Sequence, residues 1–209
     1  MKKLTCLLLA CLTALSLTAC GAPKTETLDI FAMDTYMSLV AIGDGGAAVL
    51  QSCSNEINAL EQKLSRTIDT SDVAQLNANG TAQLSDDTAE LLRAALQYSE
   101  ATGGAFDVTI APLVGSGLVR LDGTAAALDE GCAIDLGGIG KGYASDKAAE
   151  LFAQSELSGG FVSLGGNVYV HGTTAEGKPW NVAIQDPRNT EAYACTLRLS
   201  DAFVVTSGG

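Results

Sequence analysis

Apolar residues return along this chain with two distinct periods. Leu50, Cys53, Ile57, Leu60 and Leu64 fall at alternating intervals of three and four, the stripe of an amphipathic helix, and Gly45-Gly46 precedes it. A polar stretch with a short helical turn around Val73 to Leu76 follows. Ser85 opens a second helix, with Asp86 and Asp87 in the first turn, where the helix dipole favours acids. It runs through Leu91, Leu92, Ala95 and Leu96, and Gly103-Gly104 stops it. Asp29 to Ile42 alternates as one or two strands, broken near Met33-Asp34. Ala133 to Leu136 is a short strand, followed by a glycine-rich turn and a helix to about Gln154. From Gly160 the period is two: Phe161 to Leu164, Val168 to His171, Trp180 to Ile184, Cys195 to Leu199 and Phe203 to Thr206. Helices followed by a run of strands predict an α+β fold rather than alternating βαβ units.

Composition narrows the function. The 209 residues are 47% hydrophobic, too apolar for a disordered chain and ample for a core. With 12 basic and 24 acidic residues the net charge is −12, which argues against nucleic acid. An acidic surface also repels anionic lipid headgroups, so any membrane attachment is expected to come from an anchor. The N-terminus supplies a candidate. Lys2 and Lys3 precede an apolar run, Leu4 to Leu17, too short to span a bilayer as a mature helix. Leu17-Thr18-Ala19-Cys20 then resembles a bacterial lipobox, in which Cys20 becomes the lipidated first residue. Residues 1–19 are therefore expected to be a signal peptide, 20–27 a tether and 28–209 the folded domain. Removal of Lys2 and Lys3 with the signal takes the charge from −12 to −14. Acyl chains on Cys20 would hold the domain at the extracytoplasmic face of the cell membrane. At the other end, a strand runs into Ser207-Gly208-Gly209 with nothing after it, the expected look of a piece of a longer protein.

Cys53, Cys132 and Cys195 remain in the mature chain, an odd number without CxxC spacing and so neither a disulfide framework nor a zinc site. Cys53 lies on the first helical stripe and is expected to be a buried thiol. With His171 as the one histidine, no Ser-His-Asp or Cys-His relay follows from the sequence. Three blocks still draw attention. In Gly103-Gly104-Ala105-Phe106-Asp107, a helix end turns through two glycines and presents an aromatic beside an acid. Such a turn could stack a flat ring, or Asp107 could simply cap the next turn. In Ile134-Asp135-Leu136-Gly137-Gly138-Ile139-Gly140-Lys141-Gly142, a strand delivers an acid to glycines and a lysine at a helix start. Bare N–H groups, the dipole and Lys141 suit an anion such as pyrophosphate, and turn carbonyls suit Mg²⁺. By pattern alone, ligand binding and a plain strand-to-helix connection stay equally open. Leu164-Gly165-Gly166-Asn167 reads as a tight hairpin.

In order and spacing, these blocks resemble the FAD:protein FMN transferase (ApbE) family. The resemblance covers about Met33 to Gly208 and is carried by Met33-Asp34-Thr35, Gly103 to Pro112, Ile134 to Asp146, Leu164 to Asn167, Pro179 to Ile184 and Val205 to Gly208. It implies that the protein binds FAD with Mg²⁺, transfers FMN to a threonine hydroxyl of a target flavoprotein and releases AMP. It further implies acceptors among flavin-bearing subunits of membrane redox complexes. Met33, Ala105, Phe106, Asp107, Asp135 and Lys141 match dinucleotide contacts, and Gly138 a carbonyl ligand of the metal. Gly165, Gly166 and Ser207 are weaker candidates for the same cleft, and no residue matches a catalytic base. The same residues would also serve an FAD pyrophosphatase or a lipoprotein that only binds flavin nucleotides. The chain departs from the pattern in having Asp34 for glycine and Thr67 for an aromatic. It also ends before the family's histidine and the later acid and threonine of the metal site. Activity is thus expected of the parent protein, and Mg²⁺ binding by these 209 residues alone is expected to be weak.

Overall fold

A computed structural model describes residues 23–110 and 115–206. The signal segment 1–19, Cys20, Pro112, Ser207 and Gly208 lie outside the described residues. Strands β1 (Thr25–Ala32) and β2 (Thr35–Ile42) form a hairpin whose register pairs Thr25 with Ile42 and Ala32 with Thr35. Met33 and Asp34 make the two-residue turn with φ of 48° and 57°. Two positive φ values give the handedness that matches twisted strands. β1 begins three residues inside the expected tether, because Thr25 to Thr27 still have β2 partners.

Helix α1 (Gly46–Leu64) buries the whole predicted stripe, Leu50, Cys53, Ile57, Leu60 and Leu64. Helix α2 (Asp72–Asn79) is longer than the predicted turn, because Ser71 caps it by accepting from Ala74 N at 3.0 Å and Gly80 ends it at φ 69°. After β3 (Thr81–Gln83) comes α3 (Asp86–Ala101). Asp72 Oδ2 ties α2 to the start of α3 by accepting from Ser85 N, Ser85 Oγ and Thr88 Oγ1. Short strands β4 (Thr109–Ile110), β5 (Val119–Asp122), β6 (Ala125–Leu128) and β7 (Ala133–Ile134) lead into α4 (Gly137–Ala153). The chain then continues through β8 (Gly159–Leu164), β9 (Asn167–Gly172), β10 (Trp180–Asp186), β11 (Asn189–Leu199) and β12 (Ala202–Val205).

The predicted α+β class, helices on antiparallel sheets, is what forms. The main sheet has the order β1-β2-β8-β9-β12, with every neighbouring pair antiparallel. Its inner face presents Met37, Leu39 and Ala41 from β2 and Val162 and Leu164 from β8, all buried with the α1 stripe and with Ala144, Ala148 and Phe152 of α4. Three smaller units flank it: β3-β6-β5, β4-β7 and the hairpin β10-β11. Cys53 and Cys132 are buried free thiols and Cys195 is exposed. Burial pushes the Cys53 thiol up to about 12, so it stays protonated and inert. No helix among the described residues is long and apolar enough to cross a membrane.

One glycine sets the spacing between sheet and helix. A Cβ at Gly160 would stand 2.4 Å from both Phe152 Cε1 and Val40 O. Phe152 is fully buried and has nowhere to retreat. Gly160→Ala is expected to destabilise the domain by about 1–3 kcal/mol through overpacking. A urea midpoint equal to that of the parent protein would show that α4 can lift off the sheet freely.

Candidate functional site

Three segments far apart in sequence meet in a cleft of about 300 Å³: the β1-β2 turn, the end of α1, and the junction of β7 with α4. Met33, Glu61, Arg66, Asp135, Gly137 and Lys141 are among its lining residues. Each segment is held by side chains that complete its backbone hydrogen bonds. Met33 N donates to Glu61 Oε1 at 2.7 Å, fastening the hairpin turn to the last turn of α1. At Ser65 the backbone becomes extended, with its N–H bonded to Glu61 O, and the chain passes along the cleft through Arg66 and Thr67. The third wall is clamped from α2: Asn77 Nδ2 donates to Ile134 O and Ile134 N donates to Asn77 Oδ1, both at 2.8 Å. Asp135 N then donates to Val108 O at 2.8 Å.

Asp135 is the hinge of that wall. Its Oδ1 accepts from Gly137 N at 2.8 Å, while Oδ2 lies 3.1 Å from Arg66 Nε. A Cβ at Gly137 would stand 3.0 Å from Asp135 Oδ1, so any larger residue there would make the carboxylate shift by a few tenths of an ångström. Lys141 follows one turn into α4, at the cleft, and forms no ion pair among the described residues. The cleft thus sets Arg66, Lys141 and the amide-rich start of α4 beside the carboxylates of Asp34, Glu61 and Asp135, and only the part formed by the two cations and the α4 amides suits an anion.

The predicted site residues separate into groups. Met33, Asp135 and Lys141 come together in the cleft. Gly138 lies in the first turn of α4, with Phe106 Cε2 at 3.6 Å from the position a Cβ would take. Phe106 also meets the Tyr98 ring edge-on at 6.4 Å between centroids. Ala105 is exposed, and neither it nor Asp107 lines the cleft. Asp107 Oδ1 instead accepts from Thr109 N at 2.9 Å and Thr109 Oγ1 at 2.8 Å, capping the turn into β4. Gly165 packs against Thr35, beside the β1-β2 turn, and Gly166 O accepts from Thr206 N at 3.1 Å. Glu61 and Arg66 complete the cleft without having been singled out by the sequence. The available signals were the polar Ser65-Arg66-Thr67 directly after the last apolar position of α1 and the family resemblance of this segment, which departs at Thr67.

Behind the cleft, a polar network joins three helices. Lys63 Nζ donates to Asp87 Oδ2 at 2.5 Å. The Tyr143 hydroxyl donates to Glu90 Oε2 at 2.6 Å and stands 3.1 Å from Asp87 Oδ1. The Lys147 ammonium lies 4.8 Å from the Tyr143 ring centre. The hydrogen bond from Lys63 holds the Asp87 carboxyl below the usual carboxylate range, and the same bond pushes Lys63 up. Tyr143 is pushed up by burial first and then by its carboxylate acceptors.

Comparison with known proteins places this architecture in a class. The ApbE family model matches residues 33–118 and 114–209, and the chain belongs to the ApbE family. It is 27% identical over 252 residues to the FAD:protein FMN transferase of Haemophilus influenzae, covering 100% of this chain and 73% of that protein. Against the enzyme of the same name from Salmonella typhimurium it is 28% identical over 230 residues, covering 91% of this chain and 66% of the relative. A third, from Treponema pallidum, is 30% identical over 206 residues, covering 77% and 57%. The crystal structure of the ApbE protein from Thermotoga maritima superposes with a TM-score of 0.80 at 26% identity, over 88% of this chain and 71% of that one. The apo flavinyl transferase ApbE of Pseudomonas stutzeri shares the fold, with a TM-score of 0.77 at 22% identity over 88% and 68%.

A magnesium ion needs about six oxygens in near-octahedral array. Among the described residues no group of three His, Cys, Asp or Glu side chains converges to hold a metal. Gly138 offers a hard carbonyl oxygen of the right chemistry, but only one.

The Lys63–Asp87 pair yields a pH prediction. Because the folded pKa of Asp87 is lowered, its contribution is complete above the ordinary carboxylate pKa of about 4 and is lost as pH falls through the lowered value. Lys63 contributes in the opposite sense, up to about pH 10, fading as pH rises beyond its raised pKa. Asp87→Asn is expected to cost about 1 kcal/mol at pH 7, screened as a partly exposed pair should be, and to flatten the acid limb of stability. Urea melts at pH 2 to 4 that keep the parent slope would remove Asp87 from the linkage.

Proposed function

We propose that the full-length protein is an FAD:protein FMN transferase. The observation that carries this reading is the cleft where Met33, Asp135 and Lys141 meet, in a chain whose curated relatives bear that name. In the proposed reaction, a threonine hydroxyl of the acceptor attacks the phosphorus on the FMN side of the FAD diphosphate. A new P–O bond forms to threonine, the anhydride P–O bond breaks, AMP leaves with the bridging oxygen, and the hydroxyl proton is released. Lys141 and the first turn of α4 would bind and orient the diphosphate, balancing charge that grows on its oxygens in the transition state. Met33, in its strained turn, would border the flavin. Magnesium would be held mainly by the diphosphate together with Gly138 O, and when bound it supplies neutralisation of the nonbridging oxygens.

The expected location is the extracytoplasmic face of the cell membrane, with acyl chains on Cys20 as anchor. The charged start, short apolar run and Leu17-Thr18-Ala19-Cys20 support it. Such placement suits acceptors that are flavin-bearing subunits of membrane redox complexes.

Full-length protein incubated with FAD, Mg²⁺ and an acceptor domain is expected to give a covalently fluorescent acceptor band on a denaturing gel, lost on adding a chelator. FMN and AMP accumulating with no labelled band across several acceptors would replace transfer by hydrolysis. Asp135→Ala is expected to weaken FAD binding about tenfold, some 1.4 kcal/mol. Unchanged affinity in a fluorescence titration would place the nucleotide elsewhere.

A further inference from the structure

Arg66 is held in an unusual way. Its only ion-pair contact among the described residues is through Nε, 3.1 Å from Asp135 Oδ2, and the side chain is 57% exposed. The paired oxygen of Asp135 is fixed in turn, because Oδ1 is already committed to Gly137 N at 2.8 Å. In this arrangement the carboxylate meets the guanidinium at Nε alone and not in the two-pronged mode usual for such pairs. It contacts Arg66 on one edge as an ion pair, and no hydrogen-bond acceptor among the described residues takes either Nη group, in the cleft that Gly137 and Lys141 also line. The neighbouring carboxylate of Glu61 is likewise engaged, by Met33 N.

We propose that Arg66 is a diphosphate-binding residue of this cleft and that Asp135 is the positioning residue that presents it. The inference rests on the transferase reading for its choice of a dinucleotide, but not for its test. A planar fork with two donors on one edge matches two phosphate oxygens, and Lys141, a compact point charge, supplies a second cation across the same cleft. Asp135 then acts through Arg66 and not by touching the flavin. This division of labour predicts which part of the ligand each residue senses. It also predicts that the two residues are not independent.

The experiment is a double-mutant cycle on the full-length protein, with Arg66→Ala, Asp135→Ala and the double variant. Affinities are measured by calorimetry for inorganic pyrophosphate, ADP and riboflavin. Arg66→Ala is expected to lose tenfold or more for pyrophosphate and ADP and less than twofold for riboflavin. Asp135→Ala is expected to lose less than Arg66→Ala for the same two ligands, and the double variant no more than Arg66→Ala alone. Arg66→Lys is expected to recover little, since it lacks both the Nε contact and the fork. Thermal melts of Arg66→Ala should agree with the parent within a few degrees, whereas Asp135→Ala also loses the bond to Gly137 N and is expected to melt lower, so affinities are compared well below both midpoints. Additive losses, an equal loss for riboflavin, tighter pyrophosphate binding by Asp135→Ala, or no binding of pyrophosphate and ADP by the parent would each overturn the proposal. Failure of acceptor labelling with the cycle intact would sink the transferase reading and leave the Arg66 assignment standing. Successful labelling with an indifferent Arg66 would do the reverse.

Discussion

The backbone N–H of Met33, turned out of the sheet ladder by a φ of 48°, finds its acceptor in Glu61 Oε1 at 2.7 Å. Much hangs on that one bond. A β-hairpin tip with two left-handed residues would otherwise leave a donor facing a partly buried wall, at a cost of about 1–3 kcal/mol. The carboxylate that relieves it sits on the last turn of α1, so the same contact sets where α1 stops and where Arg66 emerges. Asn77 repeats the device at Ile134, and Asp135 repeats it at Gly137. The cleft is an enclosure of turns, each pinned by a polar side chain borrowed from a different segment.

Much of the frame was legible from apolar spacing. The α1 stripe, the Gly103-Gly104 stop after α3 and the break at Met33-Asp34 all reflect strong local physics: period, cap and turn chemistry. Strands β3, β5 and β6 escaped notice because they are three or four residues long, and Ala125 to Leu128 offers three alanines instead of β-branched side chains. The start of β1 was hidden because Thr25 to Thr27 carry no apolar alternation, and their pairing with β2 is what extends the strand.

The site was partly legible for related reasons. Asp135 and Lys141 belong to one continuous glycine-rich block, so chain order alone sets them at a strand end and a helix start. Arg66 and Glu61 are cleft residues only because α1 ends against the β7-α4 junction, a meeting of distant segments that no local pattern announces. At Asp107 the sequence leaves a ligand contact and a local cap both open; in the fold Thr109 offers Oδ1 both a backbone and a hydroxyl donor two residues on, which is the cap.

Phe152 wedged over Gly160 carries a consequence for how the cleft can respond to an occupant. α4 is keyed to the sheet at its far end by a ring that fits only where a side chain is missing, and Tyr143 moors its near end to α3. A helix tied at both ends resists pivoting to meet what enters. Accommodation must then come from the long side chains at the rim, leaving the amides of its first turn as a fixed gauge against which incoming molecules are measured for size.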